Sequence, residues 1–129
     1  MEAEILVVDD SAAIRKILQR VLRQTGMAIG TIMEAGDGEE ALAVLKTHKV
    51  HLVLTDINMP KMDGLQFLGR VKENADWVAI PVVMITTEGG ETKVAEAVRL
   101  GAAGYVRKPF TADQIKEKLA GLLEPALPL

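Results

Sequence analysis

Leu52-Val53-Leu54-Thr55-Asp56-Ile57-Asn58-Met59-Pro60-Lys61-Met62-Asp63-Gly64 is the stretch of sequence that decides the fold. Its first four residues are the short, mostly apolar run that is typical of a strand buried in a parallel sheet. The run ends in Asp56, and a turn containing Pro60 and Gly64 leads into a helical pattern. In open α/β sheets, ligands bind beyond the carboxyl ends of the strands. Asp56 is therefore the first candidate functional residue.

The composition predicts one globular domain that spans residues 1–129. The chain has 129 residues, of which 49% are hydrophobic, so it is large enough to bury its own core. A net charge of -3 and the lack of a dense Lys/Arg run argue against nucleic-acid binding. The sequence has no cysteine, which excludes disulfides and thiolate metal sites. The acidic start Met1–Glu4 does not resemble a signal peptide, so we expect a soluble, cytoplasmic protein with no membrane partner. We also expect it to be a monomer.

Five strand patterns alternate with five helical patterns along the chain. The predicted strands are Ile5–Val8, Thr31–Glu34, Leu52–Asp56, Pro81–Thr86 and Tyr105–Lys108. Apolar stripes and capping residues predict helices that begin after Ser11, Asp37, Asp63 and Thr111, and another from about Glu91 to Leu100. Capping boxes are predicted for Asp37 with Glu40 and for Thr111 with Gln114. His48 and His51 are interpreted as surface residues, because neither an acid nor a cysteine stands beside them.

This alternation predicts an α/β fold: a flavodoxin-like (βα)5 three-layer sandwich with a parallel five-stranded sheet. Of the two common strand orders, 2-1-3-4-5 is the shorter, and it places strands 1 and 3 side by side at the switch point. Polar residues then meet at one sheet edge: Asp9, Asp10, Asp56, Thr86 and Lys108.

The chemistry of these side chains favours phosphoryl transfer. Three neighbouring carboxylates repel one another, and a hard divalent cation relieves the repulsion. A small number of oxygen ligands from the protein suits Mg²⁺, which keeps several bound waters and also binds a phosphate of the substrate. A lysine and a threonine hydroxyl supply further partners for phosphoryl oxygens. A central carboxylate can itself act as the nucleophile and form an aspartyl phosphate.

Taken in order and at this spacing, the motifs resemble a response-regulator receiver domain. The similarity covers essentially the whole chain and extends to the single-domain chemotaxis regulators of that family. It is carried by Asp9-Asp10, by Asp56 with Met59-Pro60 and Asp63-Gly64, by Thr86, and by Lys108-Pro109-Phe110. Asn58, Glu88 and Gly104-Tyr105-Val106 add to the likeness to the chemotaxis regulators.

The resemblance implies a role for each matched residue. Asp56 accepts a phosphoryl group from a histidine kinase, and Thr86 and Lys108 bind its oxygens. Asp10, Asp56 and the main-chain carbonyl of Asn58 hold Mg²⁺, while Asp9 acts mainly through water.

The resemblance also implies how the signal ends and where it leaves. Asn58 and Glu88 tune the hydrolysis of the aspartyl phosphate, and the Lys108–Pro109 bond is cis. Thr86 and the aromatic Tyr105 form a switch. The switch changes the affinity of a downstream protein for the face formed by helix 4, strand 5 and helix 5.

Two alternative functions share part of this pattern. One is a phosphatase with Asp56 as nucleophile, as in haloacid-dehalogenase-like enzymes, but these carry a second acid two residues later, where this chain has Asn58. The other is a receiver cut from a longer regulator with an output domain. The leading hypothesis is a signalling module that catalyses only its own phosphorylation and dephosphorylation and is not an enzyme toward other substrates.

Overall fold

The computed structural model describes residues 2–86 and 91–123, in which five strands and five helices alternate. The strands are β1 (Ala3–Val8), β2 (Ile29–Ala35), β3 (Leu52–Asp56), β4 (Val82–Thr86) and β5 (Gly104–Arg107). The helices are α1 (Ala12–Gln24), α2 (Gly38–Thr47), α3 (Gly64–Glu73), α4 (Glu91–Leu100) and α5 (Ala112–Leu123). All strand pairs are parallel and the order is β2-β1-β3-β4-β5, so the predicted flavodoxin-like topology is confirmed.

The sheet is covered on both faces, because alternate residues of a strand point to opposite sides. On one face, Ile5 and Val7 of β1 join Leu18 of α1 and Ile115 of α5 in a buried cluster. Leu6 and Val8 belong to the cluster on the other face, which packs against α2, α3 and α4. Two separate apolar layers therefore hold the central strands, and β4 buries all of its residues. Within the described residues, no helix is both long and apolar enough to cross a membrane.

Side-chain caps fix where several helices begin, and one of the predicted caps differs from its expected form. Asp63 and Gln66 make a full capping box at the start of α3, and Thr111 does so with Gln114 before α5. Asp37 accepts the N–H of Glu40, as predicted. The Glu40 carboxylate, however, accepts the N–H of Gly36, which lies one residue before the Asp37 N–H that a capping box would use.

The edge strand β2 carries a bulge beside Glu4 of β1. The register shifts between the pairs Ala3–Ile29 and Ile5–Ile32, so β2 has one residue more than β1 there. The Glu4 carboxylate accepts the N–H of Thr31 at 2.6 Å, which satisfies a donor that the shifted ladder leaves out.

His51 sits on the other side of Glu4 and is not the plain surface residue that the sequence suggested. Its Nδ1 accepts the backbone N–H of Glu4 at 2.8 Å, and its side chain is partly buried.

Candidate functional site

The register of the sheet brings the polar strand ends together. Val8 pairs with Thr55, so the next residues, Asp9 and Asp56, lie side by side at the carboxyl edge. Thr86 ends β4 beside Arg107 of β5, and Lys108 follows immediately. Asp56 and Thr86 end their strands, Asp9 and Lys108 directly follow theirs, and Asp10 is one residue further along the chain.

Three carboxylates form a cluster that is suited to a metal ion. Asp9, Asp10 and Asp56 each place an oxygen so that all three oxygens lie within 4.8 Å of one another. Asp9 is 2% exposed, Asp56 is half-buried and Asp10 is exposed, so one side of the cluster is open to water. Hard oxygen donors with room for water fit Mg²⁺.

Lys108 neutralises part of the negative charge in this cluster. Its Nζ lies 3.1 Å from Asp9 Oδ2 and 3.9 Å from Asp56 Oδ2. The backbone N–H of Lys108 donates to the carbonyl of Thr86 at 2.6 Å, which fixes the start of the connection to α5. The Lys108–Pro109 bond is cis, as predicted.

Asp56 resists ionisation although a lysine stands near it. Burial raises the pKa of its carboxyl above the ordinary value, and the charge of Asp9 adds to this effect. Lys108 and the backbone N–H groups of Ile57 and Asn58 lower the pKa but do not outweigh burial. A cation bound between the carboxylates would favour the ionised form, which is the form that can act as a nucleophile.

The loop after β3 is held by two close backbone approaches. The Gly64 N–H donates to the carbonyl of Ile57 at 2.7 Å, and the Gly38 N–H donates to the carbonyl of Met62 at 3.0 Å. A Cβ on Gly64 would lie 2.9 Å from Ile57 Cα and still closer to the Asp56 carbonyl oxygen. Gly64 therefore lets α3 begin directly against the backbone of Asp56.

Two basic side chains make contacts around the site that the sequence does not predict. The Lys93 ammonium, on the first turn of α4, donates to Asn58 Oδ1 at 2.6 Å. The Arg15 guanidinium donates to the Asp9 carbonyl at 2.6 Å and to Glu34 at 2.9 Å. Both basic residues lie in helices, and the neighbouring sequence gives no sign of these partners. Glu34 is 19 residues away from Arg15, and Asn58 is 35 residues away from Lys93.

The remaining predicted residues lie around this centre. Thr86 is 8% exposed at the end of β4, whereas Tyr105 on β5 is 43% exposed, and Asn58 is exposed in the loop after β3. The Lys118 ammonium lies 5.5 Å from the centre of the Tyr105 ring, within the range of a cation–π contact. Glu88 falls outside the described residues.

Comparison with known proteins agrees with this arrangement. The model of the response regulator receiver domain matches residues 5–120, and the chain belongs to that family. Its members are the signal-receiving domains of two-component systems.

Among its relatives, the chain is similar to chemotaxis regulators of the CheY type. It is 39% identical to a chemotaxis protein CheY homolog of Campylobacter jejuni over 121 residues, which cover 93% of this chain and 92% of that protein. It is 40% identical to chemotaxis protein CheY-3 of Vibrio cholerae, with 94% and 92% covered. The structure of CheY4 of Vibrio cholerae matches with a TM-score of 0.84 at 32% identity, covering 95% of this chain and all of that one. The receiver domain of NtrX from Brucella abortus matches with a TM-score of 0.82 at 34% identity, with 93% and 98% covered.

Proposed function

We propose that the chain, as one receiver unit over residues 1–129, accepts a phosphoryl group from a histidine kinase on Asp56 and thereby changes its affinity for a downstream protein. The observation that carries this proposal is the position of the Asp56 carboxylate, which lies beside Asp9 and 3.9 Å from the Lys108 ammonium. A half-buried carboxylate next to a cation and a metal-binding cluster is suited to attack phosphorus.

The transfer replaces one bond to phosphorus by another. A carboxylate oxygen of Asp56 attacks the phosphorus of a phosphohistidine, the P–N bond breaks, and the imidazole nitrogen takes the electron pair. In the unphosphorylated structure the Lys108 ammonium pairs with Asp9 at 3.1 Å. It also lies close enough to Asp56 to bind the oxygens of a phosphoryl group there. Thr86 offers its hydroxyl at the adjacent strand end.

Asp9, Asp10, Asp56 and the carbonyl of Asn58 would hold Mg²⁺ in this proposal. When bound, Mg²⁺ neutralises charge between the carboxylates and the phosphoryl oxygens. The residues of the chain orient the phosphoryl group, and Asn58 with Glu88 controls how water later reaches phosphorus and releases Asp56.

The output is proposed to leave through the face formed by α4, β5 and α5. Support comes from two large side chains that this face exposes, Val98 at 57% and Tyr105 at 43%. Drawing the Thr86 hydroxyl toward a phosphoryl group would vacate space for Tyr105 to turn inward. Such two-state elements couple two binding events by about 1–3 kcal/mol. The module would act as a cytoplasmic monomer between its kinase and this target.

The experiment that tests the proposal is intact-mass measurement after incubation with acetyl phosphate and Mg²⁺. We expect the mass of one added phosphoryl group, and no addition when a chelator removes the metal. The matched control is Asp56→Asn, which keeps the size of the side chain and removes the nucleophile. An adduct on Asp56→Asn, or equal labelling in excess chelator, would refute the assignment.

A further inference from the structure

A single contact ties the loop after β3 to helix α4. Lys93 is the third residue of α4, and its ammonium donates to Asn58 Oδ1 at 2.6 Å across 35 positions of sequence. Both side chains are exposed, so core packing does not force them together. The contact is a charge-assisted hydrogen bond, which is the stronger kind.

Asn58 connects this bond to the reactive carboxylate. Its backbone N–H is among the groups that stabilise the ionised form of Asp56 and lower its pKa. Asp56, Asn58 and Lys93 thus form one continuous line of contacts from the end of β3 to the first turn of α4. Because Oδ1 is held by the ammonium, the Asn58 side chain stays across the gap between the loop and the helix.

We propose that Lys93 is a positioning residue for phosphoryl turnover: it holds the Asn58 side chain across the rim of the site and so restricts the approach of water to a phosphoryl group on Asp56. This inference rests on the proposed function. Lys108 differs from Lys93, because it contacts the carboxylates themselves. Lys93 acts through the Asn58 amide.

The first test measures how fast the adduct decays after acetyl phosphate has been removed. Lys93→Met keeps the length of the side chain and removes the donor, so decay should become roughly two- to tenfold faster. This is the factor expected for loss of one hydrogen bond whose two partners are exposed to water, which weakens the effect of the charge. Lys93→Arg, which keeps a donor, should stay near the wild-type rate. Lys49→Met is the matched control, because Lys49 is an exposed lysine before β3, at the opposite end of the sheet.

A double-mutant cycle separates positioning from simple charge. In an Asn58→Ala background, Lys93→Met should change the decay rate no further, since the group that Lys93 holds is already gone. Equal acceleration in both backgrounds, or no acceleration in either, would overturn the inference. The side-chain amide signal of Asn58 in ¹⁵N NMR spectra of the unphosphorylated protein gives a second readout, and it should shift in Lys93→Met and not in Lys49→Met. If the wild-type chain forms no adduct, the proposed function fails and this inference fails with it. An adduct with unchanged decay in Lys93→Met overturns the inference alone.

Discussion

Replacing Gly64 by alanine should destabilise the protein and displace Asp56 at the same time. The added Cβ would lie 2.9 Å from Ile57 Cα and closer still to the Asp56 carbonyl oxygen, and both atoms belong to the backbone. Because no side chain can swing away, either the loop or the start of α3 has to move. Such overpacking costs about 1–3 kcal/mol. Weakening the bond from the Gly64 N–H to the Ile57 carbonyl costs about 0.5–1.5 kcal/mol more.

The sum of these two free-energy costs can be converted into a change in the melting temperature, Tm. Unfolding entropy of ~2.1 cal/mol/K per residue gives roughly 0.27 kcal/mol/K for 129 residues. A loss of about 1.5–4.5 kcal/mol should therefore lower Tm by about 6–17 °C, measured by calorimetry or circular dichroism.

Gly69 of the same helix is the matched control for this substitution. A Cβ there would meet nothing within 4 Å. Gly69→Ala should raise the free energy of unfolding by about 0.5–1 kcal/mol, because alanine favours the helix interior. Gly64→Ala should also slow labelling by acetyl phosphate, whereas Gly69→Ala should not. Two variants of equal Tm and equal labelling rate would show that the close approach at Gly64 does not matter.

Three further predictions concern the charge, the edge strand and the switch. Burial raises the pKa of Asp56, so its ionised form costs stability in the metal-free protein. Asp56→Asn should therefore raise Tm at neutral pH in chelator, and the gain should vanish as the pH falls below the ordinary carboxyl pKa; a gain that grew on acidification would contradict the reasoning. Glu4→Ala, which leaves the Thr31 N–H without its carboxylate, should lower the free energy of unfolding by about 1 kcal/mol in denaturant titrations, and Glu4→Gln should lower it less. Thr86→Ala should still be phosphorylated, but beryllofluoride should no longer shift the NMR signals of Tyr105; unchanged shifts would rule out the switch.

The architecture could be predicted from sequence because hydrophobic pattern and local capping agree. The apolar runs before Asp9 and Asp56 mark central strands, and Asp63 with Gln66 marks the start of α3 through a bond that spans only three residues. Once the strand order is 2-1-3-4-5, the edge that carries Asp9 and Asp56 follows from the topology alone.

What the sequence did not reveal depends on side chains that cross between elements. The hydrogen bond between Lys93 and Asn58 spans 35 positions of sequence, and no sequence pattern indicates which residue a lysine on a helix contacts. The contact of His51 leaves no sign in the sequence, because its acceptor role toward Glu4 arises only when β1 and β3 lie side by side. Glu40 shows that a short-range contact can also escape prediction. The spacing of Asp37 and Glu40 fits a capping box, but the Glu40 carboxylate accepts the N–H of Gly36 instead of that of Asp37.

The uneven burial of the strands has a consequence for local opening and hydrogen exchange. β4 buries all five of its residues, whereas β5, the outermost strand on that side, buries only Val106 among its four. Amide protons of β3 and β4 should therefore exchange only on global unfolding, while those of β5 should exchange through smaller fluctuations. Asp56 ends a strand in the slowly exchanging part of the sheet, whereas Tyr105 lies on a strand that opens at a lower free energy. A small change in bound charge at one strand end can then alter how often the outer strand opens, without disturbing the strands that hold the carboxylates.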